Sequence, residues 1–156
     1  MPTLDSTSSA TNALVFLAQT DTTAGFLSTS KERLNAIKKR PLHQKILLTM
    51  SSLSYLHHTG RIPKDHKRLV RRAKATSFVA PNGNAFRIVH SPEHCQFLRH
   101  FGALYSTSAN PTKQPFDLSW AIAQSDIIVL DSRGIYESAP SKILQLGRKK
   151  IKTLRK

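Results

Sequence analysis

Two short segments hold the side chains best suited to chemistry: Lys38-Lys39-Arg40-Pro41 and Ser106-Thr107-Ser108-Ala109-Asn110. Lys38 and Arg40 lie two residues apart beside an expected helix end. A guanidinium can grip a phosphate with two parallel bonds, while an ammonium acts as a mobile point charge. Ser108 and Asn110 add a hydroxyl and an amide whose alternation lets both point one way. Ser141 follows Pro140 at the start of an expected strand, and Arg155 ends another. Donors gathered from so many segments suit an anionic ligand bound by shape and charge, without a covalent intermediate. Lys38 and Arg40 also admit a purely structural reading, because a helix C-terminus favours cations by its dipole alone.

Other chemistries have less support. The chain has no GxxxxGK loop and no GxGxxG, the common phosphate-cradling segments. No HExxH or CxxC appears, and no His/carboxylate spacing suggests a protein-bound metal. The seven histidines are scattered, and adjacent His57 and His58 cannot share a face well. Cys95, near Phe97 in an expected helix, reads as core rather than nucleophile. As the one cysteine it forms no internal disulfide, which fits a reducing cytoplasm.

The elements that must position these residues follow from the apolar pattern. Ala13–Ala18 is too short for a helix and reads as a buried strand. Thr29 with Glu32 makes a capping box for a helix that buries Leu34 and Ile37 and stops at Pro41. Lys45–Met50 reads as a strand, and Ser77–Pro81 with Ala85–Val89 as two strands around Asn82-Gly83. Ser91-Pro92-Glu93 opens a helix with Phe97, Leu98 and Phe101 inward, ended by Gly102. A short strand at Ala103–Ser106 leads into Ser-Ala-Asn-Pro. Asp117 caps a helix carrying Leu118, Ala121 and Ile122. Asp126–Asp131 is the clearest strand pattern, and Ser141–Leu146 and Ile151–Leu154 close the chain around Gly147. Alternating strands and helices predict one mixed α/β sheet with helices against it.

Composition limits the partners. With 156 residues and 39% hydrophobic content, the chain suits one globular core. Twenty-four Lys and Arg against nine Asp and Glu give a net charge of +15, a field that attracts polyanions such as nucleotides, RNA or the ribosome. Arg61–Lys74 has seven basic residues in fourteen and reads as a basic helix, either solvated or facing phosphates. Residues 1–12 read as a loose tail rather than a signal peptide, and no stretch approaches a membrane span.

The order of these motifs resembles the YrdC/TsaC family, the threonylcarbamoyl-AMP synthases of tRNA modification. Thr20-Asp21-Thr22 with Gly25 resembles the family's Thr-Asp/Glu-Thr-x-Tyr-Gly segment, and Lys38, Arg40 and Pro41 match its Lys-x-Arg-Pro. Phe86-Arg87-Ile88 resembles its Val-Arg-Val strand, and Thr107 to Asn110 its Thr-Ser-Ala-Asn. Pro140-Ser141-Lys142-Ile143 and Leu154-Arg155 resemble its closing Pro-Ser-Thr-Ile and Leu-Arg. The chain departs from the pattern at Gln19 and Ala24, at Arg72-Ala73-Lys74-Ala75, at Gln44-Lys45-Ile46 and at Pro111-Thr112-Lys113.

The resemblance implies a YrdC-like α/β single domain at 13–156, a twisted mixed parallel/antiparallel sheet with flanking helices and a basic concave cleft. It implies a nucleotidyltransferase that forms threonylcarbamoyl-adenylate from L-threonine, bicarbonate or CO2 and ATP, releasing pyrophosphate. Lys38 and Arg40 would be catalytic and, with Ser108, Asn110 and Arg155, would bind nucleotide. Thr20, Thr22, Arg87, Ser106 and Ser141 would bind threonine, with Arg87 on its carboxylate. Mg2+ would ride on the triphosphate, and no side-chain metal site is expected. Expected partners are double-stranded RNA or tRNA and downstream tRNA-modification proteins in the cytoplasm, with no membrane. The competing reading is a non-catalytic relative that binds RNA or ribosomes through its basic surface.

Overall fold

Period-two alternation along short strands divides this chain between an apolar interior and a polar cleft. The computed structural model describes residues 13–58 and 60–156, without the side chains of 57 and 58. The tail expected at 1–12 and the histidine pair's side chains lie outside that description. Nine strands form one sheet: β1 (Phe16–Gln19), β2 (Ala24–Ser28), β3 (Leu47–Met50), β4 (Thr76–Val79), β5 (Ala85–Ile88), β6 (Ala103–Ser108), β7 (Ile127–Val129), β8 (Lys142–Leu146) and β9 (Ile151–Arg155). Their order is β7-β1-β2-β6-β3-β5-β4-β8-β9. The β1–β7, β3–β5 and β4–β8 pairs are parallel, and the other pairs are antiparallel.

Helices cover both faces at the β1 end. Leu17 packs with Phe26, Leu34 of α1 (Lys31–Ile37) and Ala121 of α4 (Leu118–Gln124). Its neighbours Phe16 and Ala18 point the other way, onto Cys95 and Leu98 of α3 (Pro92–Leu98). Phe78, Phe86, Met50 and Leu146 form a third cluster with Val70 of α2 (Lys67–Arg72). The mixed sheet with flanking helices is the architecture expected from the alternating pattern.

Local differences have local causes. β2 was not expected, because Ala24-Gly25 lacks strand formers; all five of its residues are nevertheless buried between β1 and β6. Tertiary pairing outweighs propensity there. The α1 N-cap is Ser30, not Thr29: its hydroxyl accepts from Arg33 N–H at 3.3 Å and donates to Glu32 at 3.3 Å. The basic helix after Arg61 is split into a 3-10 turn at Lys64–His66 and the six-residue α2. β7, the clearest strand pattern in the sequence, is only three residues long and forms a sheet edge with Ile127 and Ile128 about 40% exposed. Cys95 is buried and donates its S–H to Val89 O at 2.9 Å, as suits a core thiol.

His94 of α3 is the least satisfied buried group. It is 1% exposed, and neither ring nitrogen has a partner among the described residues. Burial holds its pKa down to about 4, against an opposing pull from Asp21 and with Arg87, Arg133 and Asp131 nearby. The folded protein therefore keeps the ring neutral where the unfolded chain takes up a proton. Stability should fall as pH drops from 6.5 towards 4, by roughly 3 kcal/mol in all. His94→Leu should lose that increment, so its urea midpoint should decline less than the wild type's between about pH 7 and 4.5. Parallel declines would mean that His94 is not the titrating group.

Candidate functional site

Flanked by Phe78, Phe86 and Ile88, which enter the core, Ser77 and Arg87 face the opposite side of the sheet. The same alternation on β6 brings Ser106 and Ser108 to that side. The polar side chains line a cavity of about 350 Å3 across the sheet from β2 to β9. Arg40, Lys45, Arg87 and Arg155 border it.

A chain of hydrogen bonds crosses the cavity floor. Arg87 Nε donates to Asp21 Oδ1 at 3.1 Å and Nη2 lies 3.0 Å from the same oxygen, with both side chains about 95% buried. Arg87 Nη1 donates to Ser77 Oγ at 3.1 Å, and Ser77 Oγ lies 2.8 Å from Ser141 Oγ. Arg155 closes the chain, donating from Nε to Ser141 O at 2.8 Å and from Nη2 to Ser141 Oγ at 3.2 Å. Burial, with Arg87 nearby, pulls the Arg155 pKa below its ordinary value. Asp21 Oδ2 remains buried without a partner among the described residues.

The two segments that stand out in the sequence clasp each other, but Lys38 and Arg40 have different positions. Lys38 is the C-cap of α1 and is 5% exposed. Its ammonium donates to Ser108 O at 2.9 Å, to Asn110 Oδ1 at 3.2 Å and to Asn110 O. Burial, and then Arg40, lower its pKa to about 8. Thr112 Oγ1 returns a bond to Lys38 O at 2.6 Å. Lys39 adopts φ 52°, reversing the chain so that Arg40 can turn into the cavity. There Arg40 Nη2 donates to Thr107 Oγ1 at 2.9 Å, while its buried Nε has no partner among the described residues. Burial lowers its pKa as well. Buried Asn35 supports this turn, donating to Leu42 O at 3.0 Å and Gln44 O at 2.9 Å.

A third wall is the Thr20–Thr23 turn. Thr20 Oγ1 donates to Thr23 O at 2.6 Å and accepts from Thr22 N–H at 3.1 Å. Arg133 holds the turn from behind, donating to Thr20 O and Gln19 O at 2.9 Å each while paired with Asp131 at 2.7 Å. Gly25 leaves the floor open beside it. A Cβ there would lie 2.8 Å from Thr20 Cγ2 and 3.3 Å from Thr107 O, and the latter is backbone that cannot swing away. Gly25→Val should therefore weaken ligand binding in the cavity by about tenfold or more. Calorimetric titration checks this; unchanged affinity would place the ligand elsewhere.

Among the residues expected at the site, Thr20, Thr22, Arg40, Arg87, Ser106, Ser108, Ser141 and Arg155 line this one cavity. Lys38 and Asn110 do not line it and bond each other instead. β6 ends at Ser108, so strand alternation no longer aims Asn110. Asn110 instead donates to Pro111 O and Gln114 O, bracing its own turn. Asp21, Gly25 and Thr107 stand in the sequence motifs without an assigned role, and Lys45 and Ser77 have none in the sequence reading. A polar residue beside Phe78 was the available signal for Ser77; Lys45 carries none, and the partner of Asp21 none, until the strands are paired.

A family profile described as Sua5/YciO/YrdC, "Telomere recombination", matches residues 15–156. The uncharacterized protein MG259 homolog of Mycoplasma pneumoniae is 29% identical over 143 residues, covering 85% of this chain and 30% of that protein. P. abyssi Sua5 complexed with L-threonine superposes with a TM-score of 0.73 at 17% identity, covering 91% of this chain and 50% of that one. E. coli YciO gives a TM-score of 0.71 at 17% identity, over 96% of this chain and 85% of that one. The chain thus spans less than a third of its curated relative and half of Sua5.

Proposed function

The chain belongs to the Sua5/YciO/YrdC family, and from that premise we propose that its cleft makes threonylcarbamoyl-adenylate from L-threonine, bicarbonate or CO2, and ATP. One observation carries the reading. Arg40, Lys45 and Arg155 line the cavity without a carboxylate partner among the described residues, while Asp21 neutralises only Arg87. Such a site is built for ligands that bring several negative charges.

The chemistry has two steps. The threonine amine attacks the carbon of CO2 and loses a proton to solvent, giving a carbamate. A carbamate oxygen then attacks the α-phosphorus of ATP, the bond to the β-phosphate oxygen breaks, and pyrophosphate leaves. Both reactants of the second step are anions, so their mutual repulsion is the main obstacle. Fixed cations lower that repulsion and hold the oxygen near the phosphorus, with no reorganisation needed at the moment of reaction. Arg40 and Arg155 are assigned to the nucleotide with Ser108. Thr20, Thr22, Ser106 and Ser141 are assigned to threonine, with Arg87 on its carboxylate. Lys38 and Asn110 act by fixing the Ser108 turn. Mg2+ would arrive with the triphosphate, held by its phosphates, and would add positive charge there. The Sua5 structure in complex with L-threonine supports threonine as the amino acid.

Pyrophosphate release by the purified chain tests the reading. Release should require ATP, threonine and bicarbonate together. Release that continues without threonine would exclude it.

A further inference from the structure

Exposed apolar surface is gathered at one edge of the sheet. Among the described residues, Leu14, Leu118, Ile122, Ile127, Ile128 and Leu130 are all exposed large apolar side chains, on β7 or on the segments beside it. Leu14 precedes Val15, whose carbonyl accepts from Asp126 and Ile127 N–H at 2.9 and 3.2 Å. Trp120 of α4 leans onto Phe26 of β2, with ring centroids 5.8 Å apart. Leu118 and Ile122, four residues apart, therefore share the helix flank away from β2, towards β7. The register sets Ile127 beside Phe16 and Ile128 beside Leu17, so the two isoleucines point to opposite faces. Apolar side chains thus flank this strand on both faces, and β7 pairs with β1 alone.

Charge and area identify what fits this edge. The stretch from Gln114 to Ser132 holds no Lys or Arg, although the chain has 24. Its three aspartates are already engaged: Asp117 accepts from Trp120 N–H at 3.1 Å, Asp126 pairs with Arg33 at 3.3 Å and Asp131 with Arg133 at 2.7 Å. The edge is close to neutral in a chain of net charge +15, so two copies meet there with the least repulsion. β9, the other edge, carries Lys152 and Arg155 between Lys150 and Lys156, which repel a second copy. A nucleic acid or an anionic lipid surface finds no cation along the β7 stretch to hold it. The six apolar residues expose roughly 500 Å2, about the apolar share of one partner in a standard homodimer interface (~800 Å2 per copy, about 65% apolar).

We propose that two copies of this chain associate through β7, antiparallel about a two-fold axis, so that their sheets continue as one. Such a contact is self-complementary and brings the same residue of both copies together at the axis, here Ile128 in the middle of the strand. Three paired residues add few hydrogen bonds, so burial of the flanking apolar side chains supplies most of the association. None of the six lines the cleft, and the contact is independent of the synthase reading.

Sedimentation velocity of the purified chain at about 50 μM tests this. The wild type should sediment as twice the 17.4 kDa chain. It should keep that mass at about 0.5 M salt, because apolar contacts are not screened. Leu130→Lys and Ile122→Lys should each raise the dimer Kd at least tenfold. Leu69→Lys, the same change at an exposed position on α2, should stay within about twofold of wild type. The two test variants alter different segments, so misfolding of one leaves the other decisive. Ile128→Cys should give a covalent dimer with a short bismaleimide, and the wild type, whose Cys95 is buried, should not. A monomeric wild type, dissociation by salt, dimers that survive in both test variants, an equal loss in Leu69→Lys, or no covalent dimer from Ile128→Cys would each overturn the proposal. A dimer that releases no pyrophosphate would remove the synthase reading and leave this contact standing.

Discussion

Arg40→Ala should reduce pyrophosphate release by about 100-fold or more, the loss typical when one fixed donor to developing charge is removed. Three features single out this residue. Its guanidinium borders the cavity, its pKa is held down by burial, and its Nε has no partner among the described residues. A buried, charged donor without an acceptor is costly to the folded protein and is satisfied by an incoming anion. Arg40→Ala should accordingly fold at least as well as wild type while losing turnover. Arg40→Lys should regain part of the lost rate, because the charge returns without the planar fork. Steady-state pyrophosphate release with thermal melts of each variant checks both statements. Normal turnover in Arg40→Ala would move the phosphates away from this wall.

Arg87→Met should instead be the most destabilising change in the cleft. It would leave the Asp21 carboxylate buried beside an apolar side chain, and breaking a buried pair from one side costs about 3–5 kcal/mol. For a chain of this length that lowers Tm by roughly 10 °C. Asp21→Asn in the same background removes the orphaned charge and should recover a large part of the loss. Threonine binding should remain absent in both, since the carboxylate partner is gone in each. Calorimetric melts and threonine titration separate the two effects. Should Arg87→Met melt with the wild type, the Asp21 pair would not be what secures the cavity floor.

The strands were legible wherever the apolar code was local. Ala13–Ala18, Ala85–Val89 and the closing pair around Gly147 all read as strands, and Arg87 stands out as a charge inside an apolar run. β2 could not be read this way, because Ala24-Gly25 becomes strand only through pairing with β1 and β6. The Arg40 and Ser108 positions were readable as donors. That Lys38 turns inward to the 106–110 segment was not, because two of its three acceptors are backbone carbonyls some seventy residues away that carry no side-chain signal. Asp21 stands in the Thr20-Asp21-Thr22 motif, but its role was not legible for a related reason. Its importance comes from Arg87, 66 residues along the chain, and not from its own neighbours.

The most direct measurement follows the carbon. The purified chain is incubated with ATP, L-threonine and 13C-bicarbonate, and the products are resolved by mass spectrometry. An AMP adduct of carbamoylated threonine should appear with one labelled carbon, in step with pyrophosphate, and should vanish when threonine is omitted. ATP binding without any labelled adduct, in a correctly folded sample, would contradict the assignment of this cleft as a synthase.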